Sequence, residues 1–373
     1  MVENAEFSQN FSVGIVGLGL IGGSLAKRLA KLPECSVYAW NRHHNPYEEA
    51  ENLGIDCVEN VQDLAKLRPN VLILCNSLSS MPSILQEIAP YVDKSRTTIS
   101  DVGSVKALVR EQVAAAGLQD CYVGAHPMAG SEFTGWKASS AELLNGALWA
   151  LTVDNNTEFW RVSNVLRMIV SLCKNRAIVL DDETHDKSAA LISHMPHVVA
   201  TALANVLCEQ SNRAIALQLS AGSWRDMTRV ALTDPQRTRA MVSENRHNTA
   251  KLLRSVISEL TFAANMLDKD EQLADDDEQE FFAKAQSWRE YKYQQRKSSK
   301  TNTNQSDDTN QSDDTNQIDD ANIRLWKYVS SSNWQKDLLD SARLGESIVE
   351  ICGFNTNESS QLLLRANSSL NNL

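Results

Sequence analysis

Residues 11–30 read FSVGIVGLGLIGGSLAKRLA, and this stretch decides the fold of the first half of the chain. The β-branched run from Val13 to Val16 predicts a buried strand, which leads into a helix that ends near Ala30. The turn between them has the spacing G-x-G-x-x-G. In this strand–turn–helix context the spacing predicts a dinucleotide-binding loop, and a plain tight turn is the alternative.

The three glycines of the loop have separate predicted tasks. Gly17 permits the tight turn, Gly19 lets a pyrophosphate approach the backbone, and Gly22 lets helix and strand pack closely. The helix amino terminus then offers free N–H groups and a partial positive charge to the phosphates. The predicted cofactor contacts in this loop are Gly17, Leu18, Gly19, Leu20, Ile21 and Gly22.

The end of the second predicted strand, Ser36 to Trp40, decides which nicotinamide cofactor is favoured. An acidic residue at this place binds the ribose hydroxyls of NAD, whereas a neutral residue followed by a base accommodates the 2′-phosphate of NADP. The chain has Asn41-Arg42-His43 here, which includes a cation and no acid. We therefore predict NADP as the favoured cofactor, with NAD as the alternative. An ordinary polar loop is the other interpretation.

Strands and helices alternate as far as Leu180, which predicts an α/β domain with a doubly wound, mainly parallel sheet. Ligands bind such sheets beyond the carboxyl ends of the strands. Polar loops at 76–80, 101–106 and 126–131 leave those ends. The predicted cofactor contacts in these loops are Asn76, Ser77 and Asp101.

After Leu180 the pattern becomes helical, with one long helix expected up to Glu209, others up to about residue 265, and no further strand-rich region. The tract 297–322 repeats TNQSDD and lacks apolar residues to bury, so we predict disorder there and frayed residues at the very end. The predicted organisation is a Rossmann-like dinucleotide-binding domain at 11–181, an all-α substrate domain at 182–296, a disordered linker at 297–322 and a C-terminal extension at 323–373.

Composition narrows the class of protein. The 373 residues carry a formal net charge of −11 and no basic stripe, which argues against a nucleic-acid partner. No long apolar span and no signal peptide are recognised, so no membrane partner is expected. The seven cysteines are scattered without a C-x-x-C pair, which indicates thiols in a reducing cytoplasm.

Two residues in neighbouring loops are candidates for proton chemistry. His126 follows a predicted strand at the ligand edge of the sheet, and a histidine there can take the proton of a hydroxyl near neutral pH. A loop-capping histidine is the alternative. Ser104 could orient His126 or bind the same substrate oxygen. The alternative is that Asp101 or Ser104 is a helix N-cap.

The long helix after Leu180 carries a polar stripe. Spacings of seven, eight and eleven residues put Asp186, Ser193 or His194, and His197 on one face, which suggests a wall of the substrate pocket. Structural core histidines are the alternative. The H-x-x-H pair lacks the glutamate and the third ligand of a zinc site, so no metal site is expected.

Two arginines one helical turn apart are candidates for binding a carboxylate. Arg225 and Arg229 lie in the segment GSWRDMTR, and a guanidinium in a covered cleft binds a carboxylate through two parallel hydrogen bonds. A surface ion pair, for example between Arg225 and Asp226, is the alternative.

Together these pieces resemble the prephenate/arogenate dehydrogenase family of tyrosine biosynthesis. HPMAG, SHxPH and RDxTR in this order are far more specific than the glycine loop, and the resemblance covers most of residues 11–265. The spacing from HPMAG to GW and the piece around Trp334 are most similar to actinobacterial members. The resembling segments are GLGLIGGSLA (17–26), SDVGSVK (100–106), VGAHPMAGSEFTGW (123–136), HDKSAALISHMPHVVA (185–200) and AGSWRDMTRVALTDP (221–235).

The resemblance implies a helical C-terminal domain that forms a homodimer and an oxidative decarboxylation as the reaction. Hydride leaves the carbon that bears the 4-hydroxyl of a cyclohexadienol, and the ring then loses its carboxylate as CO2. Prephenate gives 4-hydroxyphenylpyruvate, and arogenate gives tyrosine.

The resemblance also implies roles for individual residues. His126 takes the hydroxyl proton, and Ser104 shares the hydroxyl. Arg229 binds the ring carboxylate. The predicted substrate contacts are Arg229, His197, Ser193, Asp226, Asp186 and Arg225, with Asp226 supporting Arg229 and Asp186 orienting either the arginine or a histidine.

The chain departs from the family pattern at one position, and two other functions are alternatives. Thr238 stands where many members have tryptophan, and no chorismate mutase segment or ACT domain is recognised. A two-domain hydroxyacid dehydrogenase would need a lysine on the inner face of the interdomain helix, and Lys187 lies only at its start. A non-catalytic NADP-binding sensor would not need a hydroxyl, an imidazole and a guanidinium that converge.

Overall fold

The computed structural model describes residues 11–131, 133–269, 271–303, 322–330, 332–355 and 359–367. The predicted combination of a parallel α/β domain and a helical domain is confirmed. Most of the expected linker, 304–321, lies outside the described residues. Its first residues, 297–303, continue a helix, so the predicted start of the linker is wrong.

A five-stranded parallel sheet forms the first layer of the dinucleotide-binding half. Its strands are β1 Phe11–Val16, β2 Cys35–Trp40, β3 Asp56–Cys57, β4 Val71–Leu74 and β5 Thr98–Asp101. The order is β3-β2-β1-β4-β5, so the chain changes direction across the sheet between β1 and β4. The helices that connect and follow these strands are α1 Leu20–Leu29, α2 Tyr47–Glu51, α3 Val61–Lys66, α4 Met81–Ile88 and α5 Ala107–Ala115.

A second, mixed sheet continues beside β5. Its first strands are β6 Gly124–Pro127, β7 Leu148–Thr152 and β8 Arg176–Leu180, with β6 antiparallel to β7 and β7 parallel to β8. A parallel bridge between Ile99 and Tyr122 joins the two sheets, so β6 runs in the same direction as β5. The helix α6 Phe159–Leu166, extended by a π-helical segment Arg167–Leu172, connects β7 to β8. The carboxyl ends of β5 and β6 therefore lie at the same edge.

The C-terminal extension adds three strands and one helix to this second sheet. They are β9 Asn322–Ser330, α15 Trp334–Arg343, β10 Ser347–Asn355 and β11 Ser359–Asn367, and the sheet order is β6-β7-β8-β10-β11-β9. The expectation that no further strands follow and that the last residues fray is wrong for 359–367. This segment contains three consecutive leucines and pairs with a strand on each side.

Apolar side chains anchor the extension in the core of the dinucleotide-binding half. Trp334 packs on Phe159 of α6 with ring centroids 5.5 Å apart, and Ile348 lies opposite Ala177 of β8. All four residues belong to one buried cluster. The extension is therefore part of this domain and not an appendage.

Helices form the rest of the chain. They are α7 Asp182–Ala189, α8 Met195–Glu209, α9 Arg213–Leu219, α10 Gly222–Thr228, α11 Pro235–Glu244, α12 Arg246–Leu267, α13 Glu271–Ala283 and α14 Gln286–Thr303. A π-helical turn, Ala190–His194, joins α7 to α8 just before Pro196. The helices α11 and α12 are separated at Asn245, which is buried and whose side chain bonds to other parts of the helical domain.

The structure describes the thiols of six cysteines, and all six are free. Cys35, Cys121 and Cys173 are buried, and Cys208 is exposed.

Candidate active site

The glycine loop between β1 and α1 has the geometry that a bound pyrophosphate requires. Gly17 has φ = +103°, a left-handed conformation that favours glycine, and a Cβ on Gly22 would lie 2.0 Å from the Gly17 carbonyl oxygen. A Cβ on Gly19 would meet only open space. The first turn of α1 has no acidic side chain and no side-chain cap, so its amides face a ligand without competition.

Residues at the end of β2 support this loop and border it. The Oδ1 atom of Asn41 accepts a hydrogen bond from the Leu18 amide at 2.8 Å. Arg42 and His43 are exposed, and Arg42 forms no hydrogen bond or ion pair within the described part of the chain. Asn41 therefore holds the loop, and Arg42 is a cation without a partner beside it.

The loop after β4 lies next to the glycine loop. The amide nitrogen of Asn76 would be 3.3 Å from a Cβ on Gly17. Asn76 donates to the Ser77 carbonyl at 2.9 Å, and the Ser77 hydroxyl lies 3.0 Å from that of Ser80. These bonds fix Asn76 and Ser77 at the border of the predicted cofactor site.

Asp101 does not reach that site, and its predicted cofactor contact is wrong. The side chain is fully buried. Its carboxylate forms an ion pair with Lys106 and accepts hydrogen bonds from the Tyr122 hydroxyl at 2.8 Å and the Ala125 amide at 3.2 Å. Asp101 thus fastens β5 to β6 directly before His126. The Gly103 amide donates to the same carboxylate at 2.7 Å, so its four acceptor positions are occupied and none is left for a ligand.

A chain of three side chains runs from His126 into the helical domain. The Nδ1 atom of His126 lies 3.0 Å from Nε2 of His185, and the Nδ1 atom of His185 lies 2.8 Å from Oδ1 of Asp186. The two rings meet edge to face, with centroids 5.2 Å apart. The Nε2 atom of His126 has no partner among the described residues and remains available to a ligand.

The surroundings of His126 keep it neutral near pH 7. Burial lowers the pKa of His126 well below its usual value, and the neighbouring groups His185, Lys106 and His194 lower it further. A neutral imidazole whose free nitrogen lies at the ligand edge of a sheet can accept a proton.

Asp186 is placed differently from the prediction. Its two oxygens accept the amides of Lys106 at 2.7 Å and Ala107 at 3.1 Å, so Asp186 caps α5 across the domain boundary. Burial raises the pKa of Asp186, but hydrogen bonds from His185 and those amides outweigh this effect and leave it below its usual value. Direct substrate contact by Asp186 is therefore contradicted, since the carboxylate is buried and engaged. The sequence analysis allows Asp186 to orient either an arginine or a histidine, and in the structure Asp186 orients His185.

The position of Ser104 follows from this cap. Since Asp186 supplies the acceptors for the first amides of α5, neither Ser104 nor Asp101 is the helix cap that the alternative interpretation required. The Ser104 hydroxyl is half-buried in the loop between β5 and α5, and no described group bonds to it.

The π-helical turn between α7 and α8 carries further candidates. Ser193 is half-buried, and its carbonyl accepts a hydrogen bond from Nδ1 of His197 at 2.8 Å. When the His197 ring is neutral, its Nε2 atom is therefore the acceptor nitrogen. π-helical turns inside helices occur often at functional sites.

His194, in the same turn, is held by Asn245. The Nδ2 amide of Asn245 donates to Nδ1 of His194 at 3.1 Å and to the Asp186 carbonyl at 2.7 Å. Burial lowers the pKa of His194 to about 4, so this ring is neutral and carries its proton on Nε2. That buried Nε2 atom has no partner among the described residues.

The predicted carboxylate receptor lies at the surface of the helical domain. Arg225 and Asp226 are 80% and 78% exposed and form an ion pair at 3.8 Å, which agrees with the surface-pair alternative. Arg229 is also exposed, at the end of α10, and no described side chain pairs with it. None of the three contacts the histidine chain. A different arginine, Arg237 of α11, reaches the loop after His126 and donates to the Ser131 carbonyl at 2.9 Å.

Comparisons with known proteins agree with this architecture. The family model "Prephenate dehydrogenase, nucleotide-binding domain" matches residues 25–179, and "Prephenate dehydrogenase, dimerization domain" matches residues 181–284. The chain belongs to the prephenate dehydrogenase family.

Individual relatives of this family cover much of the chain. A cyclohexadienyl dehydrogenase of Zymomonas mobilis is 30% identical over 253 residues, which are 66% of this chain and 85% of that protein. The prephenate dehydrogenase of Bacillus subtilis is 29% identical over 250 residues, which are 64% of each protein. A crystal structure of prephenate dehydrogenase from A. aeolicus with hydroxyphenyl propionate and NAD+ has a TM-score of 0.67 and 25% identity, and the alignment covers 75% of this chain and 99% of that one.

Membership in the prephenate dehydrogenase family fixes the class of reaction. The chain is an NAD(P)-dependent dehydrogenase of tyrosine biosynthesis that carries out an oxidative decarboxylation. The alternative function, a two-domain hydroxyacid dehydrogenase, requires a lysine on the inner face of α7. This requirement is not met, because Lys187 is exposed and pairs with Glu183 at 2.5 Å.

Sequence reasoning missed several residues of this site. His185 and Lys106 lie in resembling segments without a predicted role, and Asn245 and Arg237 also have no predicted role. The adjacent pair His185-Asp186 was the available signal, since a histidine beside a carboxylate on a polar helix face is a recurrent way to orient a ring. Nothing in the sequence pairs Asn245 with His194, because 51 residues separate them.

Proposed function

We propose that His126 is the general base that takes the proton of the substrate ring hydroxyl, with prephenate or arogenate as the substrate. The observation that carries this proposal is the hydrogen-bonded Nδ1 of His126, which leaves Nε2 as a free acceptor at the carboxyl edge of the sheet. The Ser104 hydroxyl, which is not engaged as a helix cap, binds the oxygen of the same substrate hydroxyl.

The reaction then needs little besides positioning. The nicotinamide, when bound, accepts hydride from the ring carbon, while His126 removes the hydroxyl proton. Loss of CO2 makes the ring aromatic, which supplies the thermodynamic drive. A positioned base of this kind contributes about 10²–10⁴ in rate.

The substrate pocket lies between these residues and the turn before α8. Ser193 and His197 line it on the side of the helical domain. In a neutral His197 ring Nε2 is the acceptor nitrogen, because Nδ1 donates to the Ser193 carbonyl. By resemblance to the family we assign the ring carboxylate to Arg229, whose exposed guanidinium has no partner among the described residues.

The cofactor preferred by this chain is NADP. Open space at Gly19 and the uncapped amides of α1 suit the pyrophosphate. Arg42 is exposed at the end of β2 without an ion pair in the described chain, where it meets a 2′-phosphate.

The active protein is a homodimer formed through the helical domain. The helix from Asp182 to Glu209 is long and apolar enough to cross a membrane by length and composition alone, and only 11% of its apolar window is buried. Ile192 and Val206 on it are 62% and 58% exposed. These two residues are separated by a multiple of seven positions, so they lie on one face of the helix. The same helix buries His185, Asp186 and His194, so a second copy, and not lipid, is the cover that we assign to its apolar face.

Steady-state turnover with prephenate and with arogenate, each with NAD and with NADP, tests the proposal. We expect reduced nicotinamide to form with at least one substrate, faster with NADP than with NAD at limiting cofactor. Faster turnover with NAD would contradict the cofactor assignment. Absence of turnover with all four pairs, while NADP still binds, would contradict the reaction.

A further inference from the structure

We infer that Asp186, acting through His185, is a positioning device that holds His126 in its Nδ1–H tautomer and stabilises the imidazolium formed when His126 accepts a proton. This inference rests on the proposed role of His126 as the base. It assigns functions to two residues that neither touch the hydroxyl nor lie within reach of the cofactor loop.

The direction of each hydrogen bond follows from the carboxylate. An ionised Asp186 only accepts hydrogen bonds, so the Nδ1 atom of His185 must carry the proton that it shares with Oδ1 at 2.8 Å. We take His185 in its neutral form, whose Nε2 is unprotonated because Nδ1 carries the proton. The Nδ1 atom of His126, 3.0 Å away, must therefore be the donor.

This order leaves only one choice for the outer nitrogen of His126. Because Nδ1 holds the proton of the neutral ring, Nε2 carries the lone pair and is on the side of the ring away from His185. Asp186, which is two side chains away along the hydrogen bonds, thus sets the tautomer that a base requires. When Nε2 takes the hydroxyl proton, the positive charge is shared along the bond to His185, and the Asp186 carboxylate lies at the end of the chain as its counter-charge.

The other titratable groups that face His126 supply no counter-charge for its imidazolium. Lys106 on α5 and His194 in the π-helical turn face the same ring, and both disfavour a protonated His126. Lys106 is neutralised by its buried ion pair with Asp101, and His194 is neutral. Asp186 is then the remaining carboxylate that is connected to His126 by hydrogen bonds among the described residues.

Asp186 is itself held rigidly. The amides of Lys106 and Ala107 fix its two oxygens from the other domain, and its side chain is 8% exposed. The same carboxylate therefore sets both the start of α5, directly after the Ser104 loop, and the ring plane of His185. This arrangement fixes the positions of Ser104 and His126 relative to each other.

The test compares the pH dependence of kcat in five proteins: wild type, Asp186→Asn, His185→Leu, His185→Gln and the control Glu183→Gln. Glu183 lies on the same helix but is 76% exposed and pairs with Lys187. NADP binding and the melting temperature of each variant report whether it is folded. His126→Asn is measured beside them.

We expect Asp186→Asn to lower the plateau of kcat by about 10²-fold, with much smaller changes in KM. Loss of the negative charge disfavours the imidazolium, so the pKa seen in the acidic limb should move to lower pH. His185→Leu should cause a loss similar to that of Asp186→Asn. His185→Gln should retain more activity, because its side-chain oxygen can still accept from Nδ1 of His126. Glu183→Gln should behave as wild type.

The outcomes separate this inference from the proposal beneath it. If His126→Asn abolishes turnover while Asp186→Asn and both His185 variants keep the wild-type kcat and pH limb, the positioning device is wrong and the base stands. If the two His185 variants lose the same activity with unchanged pH limbs, their role is structural and the inference also fails. If His126→Asn itself keeps wild-type turnover, the proposed function fails. Asp186 caps α5. If Asp186→Asn does not fold for that reason, the two His185 variants alone decide whether the positioning device exists.

Discussion

The two halves of this molecule bury their apolar side chains in different ways. In the dinucleotide-binding half, β4 is buried at every residue, and the C-terminal extension closes the far side of the second sheet. In the helical half, Ala200 is the sole buried residue among the 15 of α8, while Leu217, Leu219 and Leu232 are exposed. The first half completes its own core, whereas the second half presents apolar surface that a second copy can cover.

The largest effect that we expect from this difference is on the stability of the first half. Trp149 of β7 is fully buried, so Trp149→Ala should reduce the free energy of unfolding by about 3–5 kcal/mol. Chemical denaturation followed by circular dichroism measures this change. Leu219→Ala is the matched control, because Leu219 is 78% exposed and its truncation should change the unfolding of dilute protein by about 0.5 kcal/mol or less. Equal losses in the two variants would contradict the contrast between the halves.

A smaller effect concerns the association of two copies. Each of Ile192→Asp and Val206→Asp places a carboxylate on the apolar face of the Asp182–Glu209 helix, and burying such side chains contributes about 1.5–3 kcal/mol each. We expect sedimentation analysis to show dimers of the wild type and a larger fraction of monomer for either variant. Leu53→Asp changes an exposed leucine of the first half and should leave the dimer intact. A dimer that survives both helix substitutions would place the interface elsewhere.

The smallest effect concerns one exposed cation of the dinucleotide-binding half. Arg42→Ala should raise KM for NADP by about tenfold, corresponding to one charged hydrogen bond, and leave KM for NAD nearly unchanged. Arg96→Ala, which removes an exposed arginine before β5, is the control. An equal rise for both cofactors would show that Arg42 does not distinguish them.

The sequence predicted the parts of the site that depend on local pattern. The glycine loop, the strand before it and the loops at the carboxyl ends of the strands follow from short motifs, and Gly17, Gly19 and Gly22 have the backbone geometry that their predicted tasks require. Asp101 shows where this reasoning fails. A carboxylate at the end of a strand can contact a ligand only if no other group binds it. Tertiary packing brings Lys106 and Tyr122 to the Asp101 carboxylate, and both bind it.

Longer-range contacts explain the remaining differences. The cap of α5 comes from Asp186, about 80 residues further along the chain, so local reasoning assigned it to the wrong residues. The strands of the extension were not predicted because β10 finds its partner in β8 across more than 150 residues, and such pairing leaves little trace in local composition.

The most direct test of the account is the turnover of His126→Asn. We expect kcat to fall by about 10²–10⁴-fold with the preferred substrate and cofactor, while NADP affinity and the melting temperature stay close to those of the wild type. That result would identify His126 as the base and exclude a protein that only binds NADP. Wild-type turnover in this variant would contradict the central claim, since no other described imidazole has a free nitrogen with its remaining nitrogen held in a chain to a buried carboxylate.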